Sequence, residues 1–502
     1  MEYDKGIINN RLNHPNLFWG CLLNIKTYIR AILAIGLLAI GYTTVHYGYM
    51  QGLALGLLPI GFYIVLIGLQ KPKSTFYAFF VLNYFLMGIG RYSMGSDFPF
   101  GTLIDATIVY IFLVLLVQSI LTKNYFQWEN INNIFTYLSF AWLLYCMSEL
   151  FNPLCLSAEA WSSSIRGIAF YMFAVACVAP VVIHKFKDLK TLMFIWSLLT
   201  VIAVCKALIQ KFIGFDFAES YWLFVLGGQL THIIGYGVRY FSFFTDAANF
   251  GAGMAMSMTV FSIYAIFVKG KLRVWCVIVA LLAFYGMVLS GTRAALAIPF
   301  VGYVLLVLLS KKAKLILSVS IIILLSFSFL KYTHIGESNA LIRRMRSALD
   351  ANDPSMVVRY QNQAKFKTYM VDKPFGVGLG LAGVKAKRYT PDSYVASIPT
   401  DSWYVMLWIE TGIVGLLLNL LVMFSVIGYG CYQVLFRIRS NLLKGINIAL
   451  IAGTTGMMTA SYVNEILGQF PNGIIIYTSM AMIVMSSKFD KELSDTESHE
   501  QP

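Results

Sequence analysis

Three arginines stand next to apolar segments of this chain, and their side chains could bind an anion. Arg239 precedes one apolar segment, and Arg293 lies in the tight turn Ser-Gly-Thr-Arg-Ala between two others. Arg359 lies early in a helix that the sequence predicts to start at Pro354. A guanidinium stays charged and forms paired hydrogen bonds to phosphate oxygens. Three of them at one site would suit a pyrophosphate and would stabilise charge that develops as a glycosyl bond breaks.

Each arginine also has a simpler interpretation, which the sequence leaves open. Arg293 could extend to lipid head groups, and Arg239 could anchor an aromatic belt at the membrane surface. Arg359 could lie on a solvated helix face. A nearby basic run is interpreted as solvated or as facing head groups: Arg343, Arg344 and Arg346.

Asp401 is the candidate general base. It lies where a long polar segment re-enters an apolar one, and a carboxylate at such a boundary can take a proton from a sugar hydroxyl. Asp401 could also be the N-cap of a helix that begins at Ser402 or Trp403. The sequence contains neither metal-ligand spacing nor a phosphate-binding glycine motif, so it predicts no metal and no cofactor.

The elements that must position these residues are membrane helices. Of 502 residues 58% are hydrophobic and 12% are charged, and the mean hydropathy is +0.70. These values predict an all-α polytopic membrane protein with 12 to 14 transmembrane helices. The basic clusters are short and lie at helix ends, which gives no support to nucleic-acid binding. The predicted spans are 28–47, 50–70, 75–90, 102–121, 134–151, 165–183, 191–213, 245–268, 274–290, 293–310, 315–331, 403–435, 445–462 and 470–486.

The basic residues predict the orientation of these spans. One set of connections, together with the termini, holds 21 of the 38 lysines and arginines, whereas the short opposite loops hold 6. By the positive-inside rule the richer side is cytoplasmic. The predicted organisation is a cytoplasmic segment at 1–27, helices 1–11 within 28–331, an extracytoplasmic cap loop at 332–402, helices 12–14 within 403–486, and a disordered cytoplasmic tail at 487–502.

Four segments in order resemble the O-antigen ligase/polymerase superfamily of bacterial membrane glycosyltransferases, of the GT-C type. The first is Arg239 with Phe244-Thr-Asp-Ala-Ala-Asn-Phe-Gly, and the second is Ser290-Gly-Thr-Arg-Ala-Ala-Leu. The third is Lys373-Pro-Phe-Gly-Val-Gly-Leu-Gly, and the fourth runs from Asp401-Ser-Trp-Tyr-Val to Glu-Thr-Gly-Ile-Val-Gly. The third segment resembles a stretch of the large periplasmic loop of the superfamily.

The resemblance implies roles for individual residues in a metal-independent reaction. Arg239 and Arg293 would bind undecaprenyl pyrophosphate, with Arg293 and Asp401 catalytic, and Arg359 would contact phosphate or sugar. Ligases of the superfamily have His where Asp401 stands and Asn where Ser402 stands, which favours a polysaccharide polymerase. The remaining substrate-binding candidates are Asn249, Tyr360 and Glu410.

The predicted function is polymerisation of a bacterial surface polysaccharide, which is O-antigen, capsule or exopolysaccharide, at the inner membrane. A glycan would pass from an undecaprenyl-pyrophosphate donor to the terminal sugar of a lipid-linked repeat unit. The alternatives are a ligase that moves glycan to lipid A or protein, and a transporter of polysaccharide intermediates. A transporter needs polar residues through the membrane depth, whereas the ionisable residues here gather at one end. Expected partners are lipid-linked oligosaccharides, the bilayer, a flippase and a chain-length regulator.

Overall fold

The computed structural model describes residues 34–46, 55, 66, 68–92, 100–122, 127–235, 237–311, 313–338, 340–347 and 354–499. The chain divides into two compact units, Met1–Lys71 and Pro72–Pro502. The first unit contains a short apolar helix, α1, at Ala34–His46. Most of the predicted span 50–70 lies outside the described residues, so the structure gives no account of it.

The second unit is built almost entirely of helices. Its helices are α2 Pro72–Arg91, α3 Gly101–Leu121, α4 Ile134–Ser148, α5 Ala158–Ile165, α6 Tyr171–Val182, α7 Phe186–Phe212, α8 Phe217–Phe224, α9 Gln229–His232, α10 Ala247–Phe267, α11 Gly270–Leu289, α12 Ala297–Ser310, α13 Ala313–Tyr332, α14 Ala340–Arg346, α15 Pro354–Tyr369, α16 Trp403–Tyr432, α17 Asn441–Ala460, α18 Asn472–Val484 and α19 Ser486–His499. Two short antiparallel strands, β1 Ile233–Ile234 and β2 Gly237–Val238, form a hairpin before Arg239.

Nine helices of the described chain are long and apolar enough to cross a membrane, and three further apolar helices are shorter. The prediction of an all-α multi-pass membrane protein is therefore confirmed. The predicted spans from 75–90 onward each coincide with a helix or with two consecutive helices.

Helix α10 lies at the centre of the bundle and packs against α11, α12 and α17. Close approach depends on small residues, as is usual between membrane helices. A Cβ added at Gly302 of α12 would lie 2.5 Å from Thr259 of α10, and one added at Gly456 of α17 would lie 2.6 Å from the Ile298 carbonyl oxygen. These contacts hold the helices that form one wall of the site.

The two ends of the bundle differ. One end carries the described residues between 333 and 402 and is called the cap side. At the other end the basic residues meet acidic partners, as in the Lys73–Asp188 ion pair of 2.6 Å. Helix α19 lies there, where the sequence suggested a disordered tail. Its Asp490 accepts hydrogen bonds from the backbone N–H groups of Arg439 and Ser440, which holds the helix to the bundle.

The cap segment folds onto α16. Helix α15 begins at Pro354, as predicted, and ends at Tyr369, a few residues before the predicted end near Asp372. A small apolar core joins the cap to α16 through Phe366, Leu381 and Ile409. The cap is therefore a packed element that holds its residues in fixed positions.

The third and fourth segments of the resemblance lie against each other. The N–H groups of Val377 and Gly378 donate to the carbonyl oxygens of Ile409 and Glu410, at 2.9 and 3.0 Å. Gly412 has φ 67°, and a Cβ there would lie 1.9 Å from the Pro374 carbonyl oxygen. Only glycine fits this contact.

Gly412→Ala should therefore destabilise the protein by about 2 kcal/mol or more, since it combines a left-handed conformation with a backbone clash. The measurement is thermal unfolding of the purified protein in detergent. Gly428→Ala in the same helix is the control, because a Cβ there meets nothing within 4 Å. Equal unfolding temperatures for the two variants would contradict the prediction.

Candidate active site

The first two segments of the resemblance meet at the turn between α11 and α12, which contains Ser290 to Arg293. Gly291 allows the turn with φ 57°. Arg239 donates from Nε to the Ser290 carbonyl oxygen at 3.2 Å and from Nη2 to Thr292 Oγ1 at 3.1 Å. Thr292 Oγ1 in turn donates to the Ala247 carbonyl oxygen at 2.9 Å, at the start of α10. Arg239 is thus held beside Arg293, the next residue of the turn.

A third arginine reaches the same turn from the cap. Arg344 of α14 donates from Nε to the Gly291 carbonyl oxygen. Arg293 Nη1 donates to Ser347 Oγ at 3.1 Å, just after α14. The interpretation of Arg344 as solvated or facing head groups is wrong, because α14 lies across the turn and directs this side chain inward. The adjacent Arg343 is exposed and donates to the Glu337 carbonyl oxygen, as expected for a solvated residue.

These arginines line one large cavity of about 1480 Å³. Arg239, Arg293, Arg344 and Arg359 lie at its cap-side end. Its remaining wall is largely apolar and comes from α10, α11, α12 and α13. Apolar wall residues include Met258, Ile266, Phe284, Phe300, Leu306 and Phe327.

Among the described residues that line the cavity, every charged side chain is positive. Five of them are cations, the four arginines and Lys211, and none carries a carboxylate. Burial lowers the pKa of the Arg239 guanidinium, nearby Asp246 opposes this, and Arg293 adds to it. An arginine nevertheless stays protonated at neutral pH. Several positive charges at one end of a cavity favour the binding of an anion there.

Arg359 reaches the cavity from α15. Its Nε is buried and has no hydrogen-bond partner among the described residues, while Nη1 contacts the sulfur of Met356 at 3.6 Å. A buried donor of this kind costs free energy unless a ligand accepts from it. Both the charge and this donor therefore indicate an anion in the cavity.

Asp401 does not line the cavity. Ser402 is the N-cap of α16, since its Oγ accepts from the Val405 N–H at 3.4 Å, so Asp401 does not cap this helix. Asp401 is exposed, and no described residue hydrogen-bonds to its carboxylate. Its neighbour Thr400 donates to Glu465, and Val463 and Asn464 line the cavity.

Two comparisons show which known proteins this chain is similar to. A family model described as O-antigen ligase matches residues 278–420. An O-antigen polymerase of Salmonella muenchen is 24% identical over 354 residues, which cover 65% of this chain and 82% of that polymerase. The chain is thus similar to proteins of the O-antigen ligase and polymerase type.

The part that matches the family model contains the arginine turn, the cap and the re-entry segment, with Arg293, Arg359 and Asp401. Arg239 lies before this part. It joins the site through its hydrogen bonds to Ser290 and Thr292. The cavity therefore includes residues from outside the matched part, such as Met258 of α10.

Three further candidates do not line the cavity. Asn249 is buried, bonds to Asp246 and accepts from Asn472 Nδ2 through its carbonyl oxygen at 2.9 Å, which ties α10 to α18. Tyr360 is 53% exposed. Glu410 is buried beneath the glycine-rich part of the cap, where its carboxylate contacts the backbone of Gly380. Substrate contact by these three residues stays a prediction, and their observed contacts are with the protein.

Arg91 supports the segment that precedes α10, although the sequence did not make it a candidate site residue. It is buried and donates to the carbonyl oxygens of Ser242 and Phe244, in the segment that leads from Arg239 to α10. Its guanidinium also lies over the rings of Trp222 and Phe241, at 4.9 and 4.4 Å from the ring centroids. Its sequence position at the end of a span gave no sign of this role.

His232 is hydrogen-bonded in its neutral form to the start of α10. Its Nε2 accepts from the Ala247 N–H at 3.0 Å, and Nδ1 lies 3.0 Å from the Gly228 carbonyl oxygen. This pattern requires neutral imidazole with the proton on Nδ1. Burial lowers the pKa of His232 to about 4, and the nearby arginines act in the same direction.

We expect the stabilising effect of His232 to depend on pH. Its pKa is about 4 in the folded protein and 6.5 ordinarily, so the unfolded chain takes up the proton first. The contribution is complete above about 6.5 and is lost as pH falls toward 4. The difference in unfolding temperature between the unmodified protein and His232→Gln should shrink over this range. His334→Gln is the control because His334 is 87% exposed, and a constant His232→Gln difference would refute the assignment.

Proposed function

We propose that this protein polymerises a bacterial surface polysaccharide at the cytoplasmic membrane. It would transfer a growing glycan from undecaprenyl pyrophosphate to the terminal sugar of a lipid-linked repeat unit. The observation that carries the proposal is the position of three arginines, Arg239, Arg293 and Arg344, around one turn at the mouth of a large apolar cavity.

The shape of the cavity suits a polyisoprenoid pyrophosphate. Its arginine end would hold the pyrophosphate through paired, charge-assisted hydrogen bonds. On α10 the cavity is lined as far as Ile266, whereas the turn that carries the arginines is hydrogen-bonded to Ala247 at the start of this helix, 19 residues earlier and a rise of roughly 29 Å. That length is close to the thickness of a bilayer core, so a long lipid tail can lie along this wall.

The proposed reaction is a displacement at the anomeric carbon. The acceptor hydroxyl attacks this carbon, Asp401 takes the hydroxyl proton, and the bond from the carbon to the pyrophosphate oxygen breaks. The arginines stabilise the negative charge that develops on the departing lipid pyrophosphate. In this reaction the acceptor would approach from the side of Asp401, and the leaving group would stay with the arginines.

The orientation belongs to the same proposal. The cap would face away from the cytoplasm, and both termini would lie inside, as the distribution of basic residues predicts. Lipid-linked oligosaccharide, the surrounding bilayer, a flippase and a chain-length regulator are the proposed partners.

The direct test uses purified full-length protein in lipid vesicles with a synthetic undecaprenyl-pyrophosphate repeat unit. A ladder of longer glycans, with one undecaprenyl pyrophosphate released per linkage, is expected. Because arginines supply the charge stabilisation, chelation with EDTA should leave the rate unchanged. Folded protein that releases no lipid pyrophosphate would contradict the proposal.

A ligase reaction is the second candidate, since the matching family model is described as O-antigen ligase. A ligase would transfer one finished glycan to lipid A or to a protein and would form no ladder on the lipid carrier. Vesicles that contain both the repeat unit and a lipid A acceptor distinguish the two reactions. The match to an O-antigen polymerase over 82% of its length favours the ladder.

A further inference from the structure

Asp401 has an unusual backbone conformation that neighbouring residues hold in place. Its φ is 49°, in the left-handed region, which non-glycine residues seldom occupy. A conformation of this kind persists only where the surroundings impose it, and such residues cluster at functional sites. The anchors on either side of Asp401 therefore decide where its carboxylate lies.

Both anchors come from the connection between α17 and α18. Before Asp401, the buried Thr400 donates from Oγ1 to Glu465 Oε1 at 2.5 Å. After it, the Trp403 N–H donates to the Ser461 carbonyl oxygen at 3.1 Å. The same connection supplies Val463 and Asn464 to the cavity wall, so it links the cavity to Asp401.

Glu465 is itself held by the cap. Its Oε2 lies 2.8 Å from Lys385 Nζ, and its side chain is 18% exposed. A Cβ added at Gly383 of the cap would lie 3.0 Å from Thr400 Oγ1, so this part of the cap packs tightly against Thr400. The carboxylate of Glu465 therefore contacts both Lys385 of the cap and Thr400, next to Asp401. Glu465 itself lies in the connection that also lines the cavity.

We propose that Glu465 is a positioning residue for Asp401, and that it acts through the Thr400 hydroxyl to place the Asp401 carboxylate against the acceptor sugar hydroxyl. The Lys385 ion pair fixes the second oxygen of Glu465 and ties this placement to the cap. The inference rests on the proposed function, in which Asp401 is the base. It adds a residue outside the part matched by the family model, in a connection that the sequence did not single out.

The test measures kcat and KM of purified variants with the lipid-linked repeat unit. Glu465→Ala and Thr400→Val should each lower kcat by about 10-fold to 100-fold with little change in KM, because misplacement of a catalytic group reduces the rate without removing substrate contacts. Glu465→Gln keeps the oxygen that accepts from Thr400 and should recover most of the loss. If the role of Glu465 were purely structural, Glu465→Ala would lower the unfolding temperature. Glu465→Gln would then not restore kcat measured per folded protein.

The Lys385 contribution has its own matched comparison. Lys385→Ala should lower kcat by about threefold, in line with the small worth of an exposed ion pair. Lys387→Ala, in the same short helix of the cap, should leave it unchanged, since Lys387 is exposed. Equal rates for the two lysine variants would overturn the part assigned to the ion pair.

A double-variant cycle decides whether Glu465 acts through Asp401. In the Asp401→Asn background, Glu465→Ala should cause no further loss, because residues that act as one unit are not additive. A full additional loss, or unchanged kcat in the single Glu465→Ala variant, overturns this inference and leaves the proposed polymerase intact. Full activity of Asp401→Asn would instead remove the proposed base, and this inference with it.

Discussion

Arg293→Ala should reduce the rate of glycan transfer by about 100-fold to 1000-fold, the usual effect of removing a donor that stabilises a developing negative charge. Arg293 lies in the turn that Arg239 and Arg344 also contact, at the arginine end of the cavity. Arg293→Lys should recover only part of the rate, because an ammonium keeps the charge and loses the paired donors. The measurement is kcat for ladder formation by purified protein.

The matched control for this prediction is Arg343→Ala. Arg343 is also basic and lies one residue from Arg344, but it is exposed and does not line the cavity. Its variant should form ladders at the normal rate. If Arg293→Ala also formed normal ladders at a normal protein level, the arginine end of the cavity would not be the pyrophosphate site.

Asp401→Asn should reduce the rate by about 100-fold to 10,000-fold, the range that a positioned general base contributes. Asparagine has nearly the same size but cannot accept the proton of the acceptor hydroxyl. Because Ser402 caps α16, the substitution removes no cap and should leave the unfolding temperature unchanged. Binding of the lipid-linked substrate should also persist, since the arginines that hold the pyrophosphate are untouched.

The control for Asp401 is Asp392→Asn, which changes an exposed carboxylate in the same cap segment. It should have normal activity. Loss of substrate binding together with catalysis in Asp401→Asn would show that Asp401 organises the cavity and is not the base. Normal activity of Asp401→Asn would show that another group accepts the proton.

The sequence by itself determined the fold class, most of the spans and three of the four arginines that line the cavity. Long apolar segments and short basic connections follow from the cost of placing polar backbone and charge in lipid, and this cost acts on each segment separately. Arg239 and Arg293 were recognisable because charges next to apolar segments are costly. The start of α15 at Pro354 was also predictable, since helix starts depend on local residues.

Only the tertiary structure decided which residues share the cavity. Arg343 and Arg344 are adjacent and chemically identical, yet the direction in which α14 crosses the turn puts one in solvent and the other against Gly291. Ser402, and not Asp401, caps α16 because of the local backbone geometry at the point of re-entry. Glu465 meets Thr400 across 65 residues of chain. Such contacts depend on how helices pack over long sequence separations, and the residue types along one segment carry no information about that.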